Sequence, residues 1–163
     1  MSEKRLHYGL KTLTGVETFE FDLFTGESSE REVLKFIQQK YPKAYKIKGY
    51  FKDYDIYVPE ADKSVEVKQD FKSEFTGNLV VEIEFNGKPS ALSTTKADYW
   101  VFVTRFKWFW ITPKKICDCI RQHKYTPATF VGKGDTKPKR AYLIKINHIE
   151  DFSEWTQKIK SNK

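Results

Sequence analysis

Apolar and polar positions alternate with two different periods along this chain, and the period decides which element each stretch predicts. Between residues 4 and 24 the reading is a strand pair. Its better half is 16–23, where Phe19, Phe21 and Leu23 alternate with polar neighbours and Gly15 stands in the turn before it. From Ser29 the period lengthens: Val33, Leu34, Ile37 and Tyr41 line one face of a helix predicted over 29–41. Ser29 opens it, with Glu32 three residues on as a capping box, and Pro42 closes it. Residues 44–50 follow as a short basic strand or loop. Residues 79–85, 99–111 and 141–146 are strand-like. The second of these, YWVFVTRFKWFWI, reads as two strands around Thr104 and Arg105 at the centre of the core. A helix starts at Pro113 and runs to about Lys124 with Ile116, Cys119, Ile120 and His123 inward. A last helix is predicted over 149–160, with Phe152, Trp155 and Ile159 as its inner face.

The stretch that carries chemistry is 52–70, KDYDIYVPEADKSVEVKQD, which reads as two strands joined by a turn. Side chains on a strand alternate faces. Glu66, Lys68 and Asp70 therefore share one side of the second strand while Val65 and Val67 pack on the other; in the first strand Asp53, Asp55 and Tyr57 share a face. With a four-residue turn at Pro59, Glu60, Ala61 and Asp62, Val58 pairs with Lys63 and Asp55 stands opposite Glu66. A five-residue turn would set Asp55 against Val67 instead. Two carboxylates that close repel unless a cation lies between them, and a hard divalent ion with oxygen ligands, Mg²⁺ above all, meets that need. Lys68 is then near enough to touch a water on the metal. Such a set suits attack on a phosphodiester, because the metal lowers the pKa of its water and neutralises phosphate charge while the ammonium orients the water.

Asp55, followed after eleven positions by Glu66-Val67-Lys68, resembles the PD-(D/E)XK nuclease superfamily, with Tyr54 in place of the leading proline. That superfamily includes restriction enzymes, homing endonucleases, Holliday-junction resolvases and phage or viral nucleases. The resemblance covers about residues 29–103. It implies an α/β (α+β) protein: a central mixed sheet with flanking helices, in a restriction-endonuclease-like αβββαβ core carrying added N- and C-terminal elements. It implies Mg²⁺, with Mn²⁺ able to substitute, held by Asp55, Glu66 and the carbonyl of Val67, with Lys68 assisting the water. An acidic residue of the first helix, Glu30 or Glu32, is a candidate for a place close to the metal. Glu82, midway along the strand at 79–85, is a candidate for the same outer role.

Length and charge set the frame. The 163 residues make one domain, with the core at about 29–111 and a basic loop and helix at 125–163, and the formal charge of +7 favours a polyanion such as DNA. Candidate DNA contacts are Lys46 and Lys48, then Ser90, Thr94, Thr95 and Lys96 in a hydroxyl-rich segment, Arg105 at a turn, and Lys133, Lys137, Lys139 and Arg140 in a loop that lacks the P-loop pattern. Cys117 and Cys119 sit two apart on a helix, where side chains diverge by about 200°, and are expected to stay unbonded to each other. No apolar run approaches a membrane span and the N-terminus lacks a signal-peptide core, so the expectation is a soluble cytoplasmic protein, phage- or virus-encoded sources included. The expected activity is that of a Mg²⁺-dependent DNA endonuclease, working as a homodimer or higher homo-oligomer because one site cuts one strand. The alternatives are an inactive DNA-binding protein on the same scaffold, and an RNA-binding module that uses the aromatic strands as a stacking surface.

Overall fold

The computed structural model describes residues 15–50 and 52–158, with side chains from 26 to 156. In chain order its elements are α1 (Gly15–Gln38), β1 (Tyr45–Lys46), β2 (Ile56–Val58), β3 (Lys63–Gln69), α2 (Ser73–Thr76), β4 (Asn78–Phe85), β5 (Lys88–Pro89), β6 (Tyr99–Val103), β7 (Lys107–Ile111), α3 (Pro113–Gln122), β8 (Ala128–Val131), β9 (Pro138–Lys145), α4 (Ile146–Phe152) and β10 (Trp155–Lys158). One sheet has six strands in the order β1-β2-β3-β6-β7-β10, and the other has four in the order β5-β4-β9-β8. The protein is a mixed α+β fold with a mixed central sheet and flanking helices.

The centre of the six-stranded sheet is the aromatic hairpin expected at 99–111. Trp100, Val101, Phe102 and Val103 are buried in succession, which a strand achieves only when both its faces are covered. On one face Val65, Val67, Val101, Val103 and Trp108 pack against Val33 and Ile37 of α1. On the other, Trp100, Phe102, Phe109 and Ile111 meet Leu79, Val81 and Ile144 of the second sheet and Ile116, Cys119 and Ile149 of α3 and α4. Helix α3 is built as its sequence predicts: Thr112 caps it by accepting the Lys115 N–H at 3.2 Å, and Pro113 sits where no helical N–H is required. Both cysteines are free; burial pushes the Cys119 thiol up to about 11.

β2 and β3 form the antiparallel hairpin in the four-residue register, with Val58 opposite Lys63 and Ile56 opposite Val65. Asp62 closes the turn at φ 48°, a left-handed conformation that Asp tolerates, and the Tyr57 hydroxyl donates to its carboxylate. β3 then runs parallel to β6. Asp98 fixes that register: one of its carboxylate oxygens accepts both the N–H and the hydroxyl of Ser64, at 2.9 and 3.1 Å.

Four expected elements take another form. Residues 16–23 lie within α1, since Val16, Phe19 and Leu23 also satisfy a helical period and the helix continues through Ser29. Ser29 is therefore an interior residue, buried, donating its hydroxyl to Gln69 at 2.8 Å. The strand at 79–85 joins the second sheet beside β9, so β6 becomes the neighbour of β3. The basic loop is a hairpin whose second strand begins at Pro138, earlier than expected, pairing with β8. The C-terminal helix ends at Phe152; Glu154 donates its N–H to the Trp110 carbonyl at 2.8 Å, and Trp155 onward pairs with β7, whose open edge needed a partner. Residues 4–14 and Ile159 lie outside the described residues.

Candidate active site

Strand β3 outruns β2. The shorter strand stops at Ile56, and beyond it the N–H of Val67 faces the gap where a ladder partner would stand. Asp55 fills that gap: its Oδ2 accepts the Val67 N–H at 2.7 Å while its own N–H donates to the Val65 carbonyl at 3.0 Å. In an extended strand the N–H and C=O of one residue point to the same side, so the Val67 carbonyl also turns toward Asp55. The side chain of Val67 packs in the core on the other side.

The carboxylate of Asp55 is 5% exposed and its other oxygen is held by Lys52, Nζ to Oδ1 at 2.7 Å. Lys52 also reaches Glu30 of α1 at 3.3 Å, and Lys46 reaches the second Glu30 oxygen at 3.0 Å. Glu66 pairs with Lys68 at 3.1 Å. Of the two acids considered in the first helix, Glu30 is the one that α1 brings beside Asp55, through its pairing with Lys52. Glu32, two residues on, is exposed and takes no part. The charged groups of the cluster act on one another. Burial, then the charge of Asp55, raises the Glu30 pKa; burial, and again Asp55, raises that of Glu66 against the pull of Lys68. Burial lowers the Lys52 pKa, but the bonds and charges of Asp55 and Glu30 outweigh it and hold the ammonium above its ordinary value.

Asp70, on the same strand face, has a different duty. Its two oxygens accept the N–H groups of Ser73 and Val80 at 3.1 and 3.0 Å, tying α2 and β4 to the end of β3. Glu82 does not join Asp55 and Glu66. It accepts the Ser90 hydroxyl at 2.8 Å and lies 3.9 Å from Lys139, across a cavity from Lys68.

The residues proposed for DNA divide. Lys48, Thr94, Lys96, Lys133, Lys137 and Arg140 are exposed, Lys96 only 3.8 Å from Asp53 and Arg140 3.6 Å from Glu84. Lys46 instead serves Glu30, and Lys139 pairs with Asp135 at 2.9 Å. The Ser90 hydroxyl is spent on Glu82. That of Thr95 accepts the Trp100 indole N–H at 3.0 Å, so these two groups complete the turn at Ala91–Ser93 and the start of β6. Arg105 pairs with Glu74 at 2.8 Å and lies against the Phe71 ring.

Lys52 is the residue that sequence patterning missed. Its signal was its place three before Asp55, but no period links the two, because the chain between them is neither helix nor strand. Among the described residues no three or more of His, Cys, Asp and Glu converge as a metal site. Asp55, Glu66 and the Val67 carbonyl are hard oxygen donors that suit Mg²⁺, and burial together with the charge of Asp55 holds the Glu30 and Glu66 pKa values up, a cost that a bound cation would relieve. To take an ion, Asp55 must release Lys52.

The fold and site together define a mixed α+β protein with a carboxylate and lysine cluster at the end of a hairpin. Comparison of the chain with family models, with curated proteins and with solved structures yields no match. Among the described residues no helix is long and apolar enough to cross a membrane.

Proposed function

We propose that this protein is a metal-dependent DNA endonuclease with a site of the PD-(D/E)XK kind. The observation that carries the reading is the placement of Asp55 against the Val67 N–H, between Glu66 and its partner Lys68 in sequence and near enough for its charge to act on Glu66, with Glu30 tied to Asp55 through Lys52. Asp55 and Glu66 would hold Mg²⁺ together with the Val67 carbonyl; the ion, when bound, supplies Lewis acidity and a water of lowered pKa. The Val67 N–H fixes one oxygen of Asp55, which limits its rotation and pre-orients the other. Lys68 places its ammonium beside Glu66, where it can orient the attacking water or meet charge building on the phosphate. The surplus of cations over carboxylates and the exposed Lys133 and Lys137 favour a polyanionic substrate.

A second reading, a DNA-binding protein that has lost activity, is favoured by one contact, the Lys52 ammonium on the Asp55 oxygen that the Val67 N–H does not hold. The RNA-binding reading loses its surface, since Trp100, Phe102, Trp108 and Phe109 are core. Supercoiled, single-stranded and branched DNA incubated with protein in Mg²⁺ or EDTA separates the first two. Nicking that needs Mg²⁺ and disappears in Asp55→Ala and Lys68→Ala, while DNA binding persists, supports the nuclease. Binding without Mg²⁺-dependent nicking supports the inactive scaffold.

A further inference from the structure

Strand β1 is two residues long and ends the six-stranded sheet, yet it carries a large exposed ring. Tyr45 is 49% exposed and stands opposite Tyr57 of β2. Ile56 and Val58 turn to the α1 side, so Tyr57, and Tyr45 with it, face the other way, on the side of Glu66 and Lys68. We propose that this tyrosine surface binds an unpaired segment of the substrate DNA, with bases stacked on the rings, beside the carboxylates of the candidate site. The choice of DNA as occupant rests on the nuclease reading. It makes the substrate a tail, a flap or a branch in place of a continuous duplex.

The rings are accessible and already held in place. Tyr45 and Tyr57 meet edge to face, with centroids 5.9 Å apart and planes at 65°, so their faces are not used up in a parallel stack. Tyr57 donates its hydroxyl to Asp62, and Tyr54 lies 6.1 Å from it with part of its ring on the core. Rings fixed in this way lose little freedom when a base arrives. Position ties the surface to the chemistry, since Tyr54 adjoins Asp55 in the chain and Tyr57 follows two residues later. The loop after Ile47 returns to the same place. Its base is closed by the Ile47 N–H donating to the Asp55 carbonyl at 2.8 Å, and Tyr50 within it is 98% exposed. Charge selects the partner. Lys43 and Lys48 flank Tyr45, both are exposed, and among the described residues neither is in an ion pair. The two acids of the neighbouring turn are engaged, Glu60 by the Lys43 N–H at 2.9 Å and Asp62 by Tyr57. Exposed rings among lysines that no carboxylate neutralises meet both needs of a single strand: faces for its bases and cations for its phosphates. Bases inside a duplex cover one another's faces, and would have to unstack before they could use the rings.

The test is fluorescence anisotropy of the full chain in EDTA, with cleavage assayed separately in Mg²⁺. Three DNAs are compared: a hairpin with a single-stranded thymidine tail, the same hairpin with an abasic tail that keeps the phosphates, and a blunt hairpin. The thymidine tail should bind tightest. Tyr45→Ala should weaken that binding by about fivefold or more, the lower end for one base stacked on an aromatic side chain, and leave the abasic and blunt DNAs as they were. Tyr45→Phe, which keeps the ring, should bind like the wild type, and circular dichroism checks that both variants fold. Equal affinity of the wild-type protein for thymidine and abasic tails overturns the proposal, and that comparison requires no variant. A dimer seen by sedimentation that Tyr45→Ala dissolves, with DNA affinities unchanged, gives the surface to a second copy of the chain and overturns it too. Mg²⁺-dependent cleavage alongside tail binding that ignores Tyr45→Ala refutes the surface and leaves the nuclease standing. Binding that needs both the bases and the Tyr45 ring, without any cleavage, upholds the surface and refutes the nuclease.

Discussion

Lys52 and Asp55 are joined by an ion pair of 2.7 Å, and the same ammonium bridges to Glu30. The chain therefore carries its own cation at the carboxylates it would need for a metal. The pair is mostly buried, so removing one partner leaves a charge that water reaches poorly.

Lys52→Met should accordingly destabilise the protein by about 1–3 kcal/mol in EDTA, less than for a fully buried pair because the lysine keeps some contact with solvent. Mg²⁺ should restore much of that loss, since an ion that binds the native state alone stabilises it by mass action. Urea unfolding of wild type and variant, each with and without Mg²⁺, measures both effects. Equal losses in the two conditions would mean that the ion and Lys52 do not share a site.

The raised pKa of Glu66 fixes the sign of a pH effect. Its stabilising contribution is fully present below the ordinary carboxyl value of 4.5 and is lost as pH rises through the higher native value, because unfolded chains ionise first. Glu66→Gln should remove this contribution, so the variant should gain on wild type as pH increases from 4.5, with a slope of at most about 1.4 kcal/mol per pH unit. Denaturant titrations across that range in EDTA decide it. In the wild type, Mg²⁺ affinity should strengthen over the same interval, as the ion requires the ionised carboxylate.

The exposed lysines of the β8–β9 hairpin should act on DNA through charge alone. Replacing Lys133 and Lys137 with alanine should weaken binding similarly for all sequences and reduce the slope of log K against log salt by about 1–2, one phosphate contact contributing about 0.9. An unchanged slope by fluorescence anisotropy across several salt concentrations would place the DNA elsewhere.

Strand β10 docks partly through the Trp155 ring, stacked on Phe36 with centroids 5.3 Å apart and planes at 21°. Trp155 remains half-exposed. Trp155→Ala should cost about 1–2 kcal/mol, below the loss for a fully buried aromatic. Thermal unfolding checks this, and a shift too small to resolve would show that backbone pairing alone secures the strand.

What the sequence determined by itself was local. The turn from Pro59 to Asp62, the alternation of Val65 and Val67 with Glu66 and Lys68, and the doubly buried run at 99–111 follow from turn chemistry and a two-residue period, which neighbours along the chain are enough to express. Tertiary structure decided what depends on partners far away. Residues 16–23 fit either period, and Trp155 fits a helical stripe as well as a strand until the open edge of β7 claims it. Glu30 and Glu32 are alike as residues near a helix start, and only the docking of α1 brings the first to Asp55 and leaves the second in water. Lys139 reaches the cavity beside Lys68 through the pairing of β9 with β4, a contact across some seventy residues that no window of sequence contains.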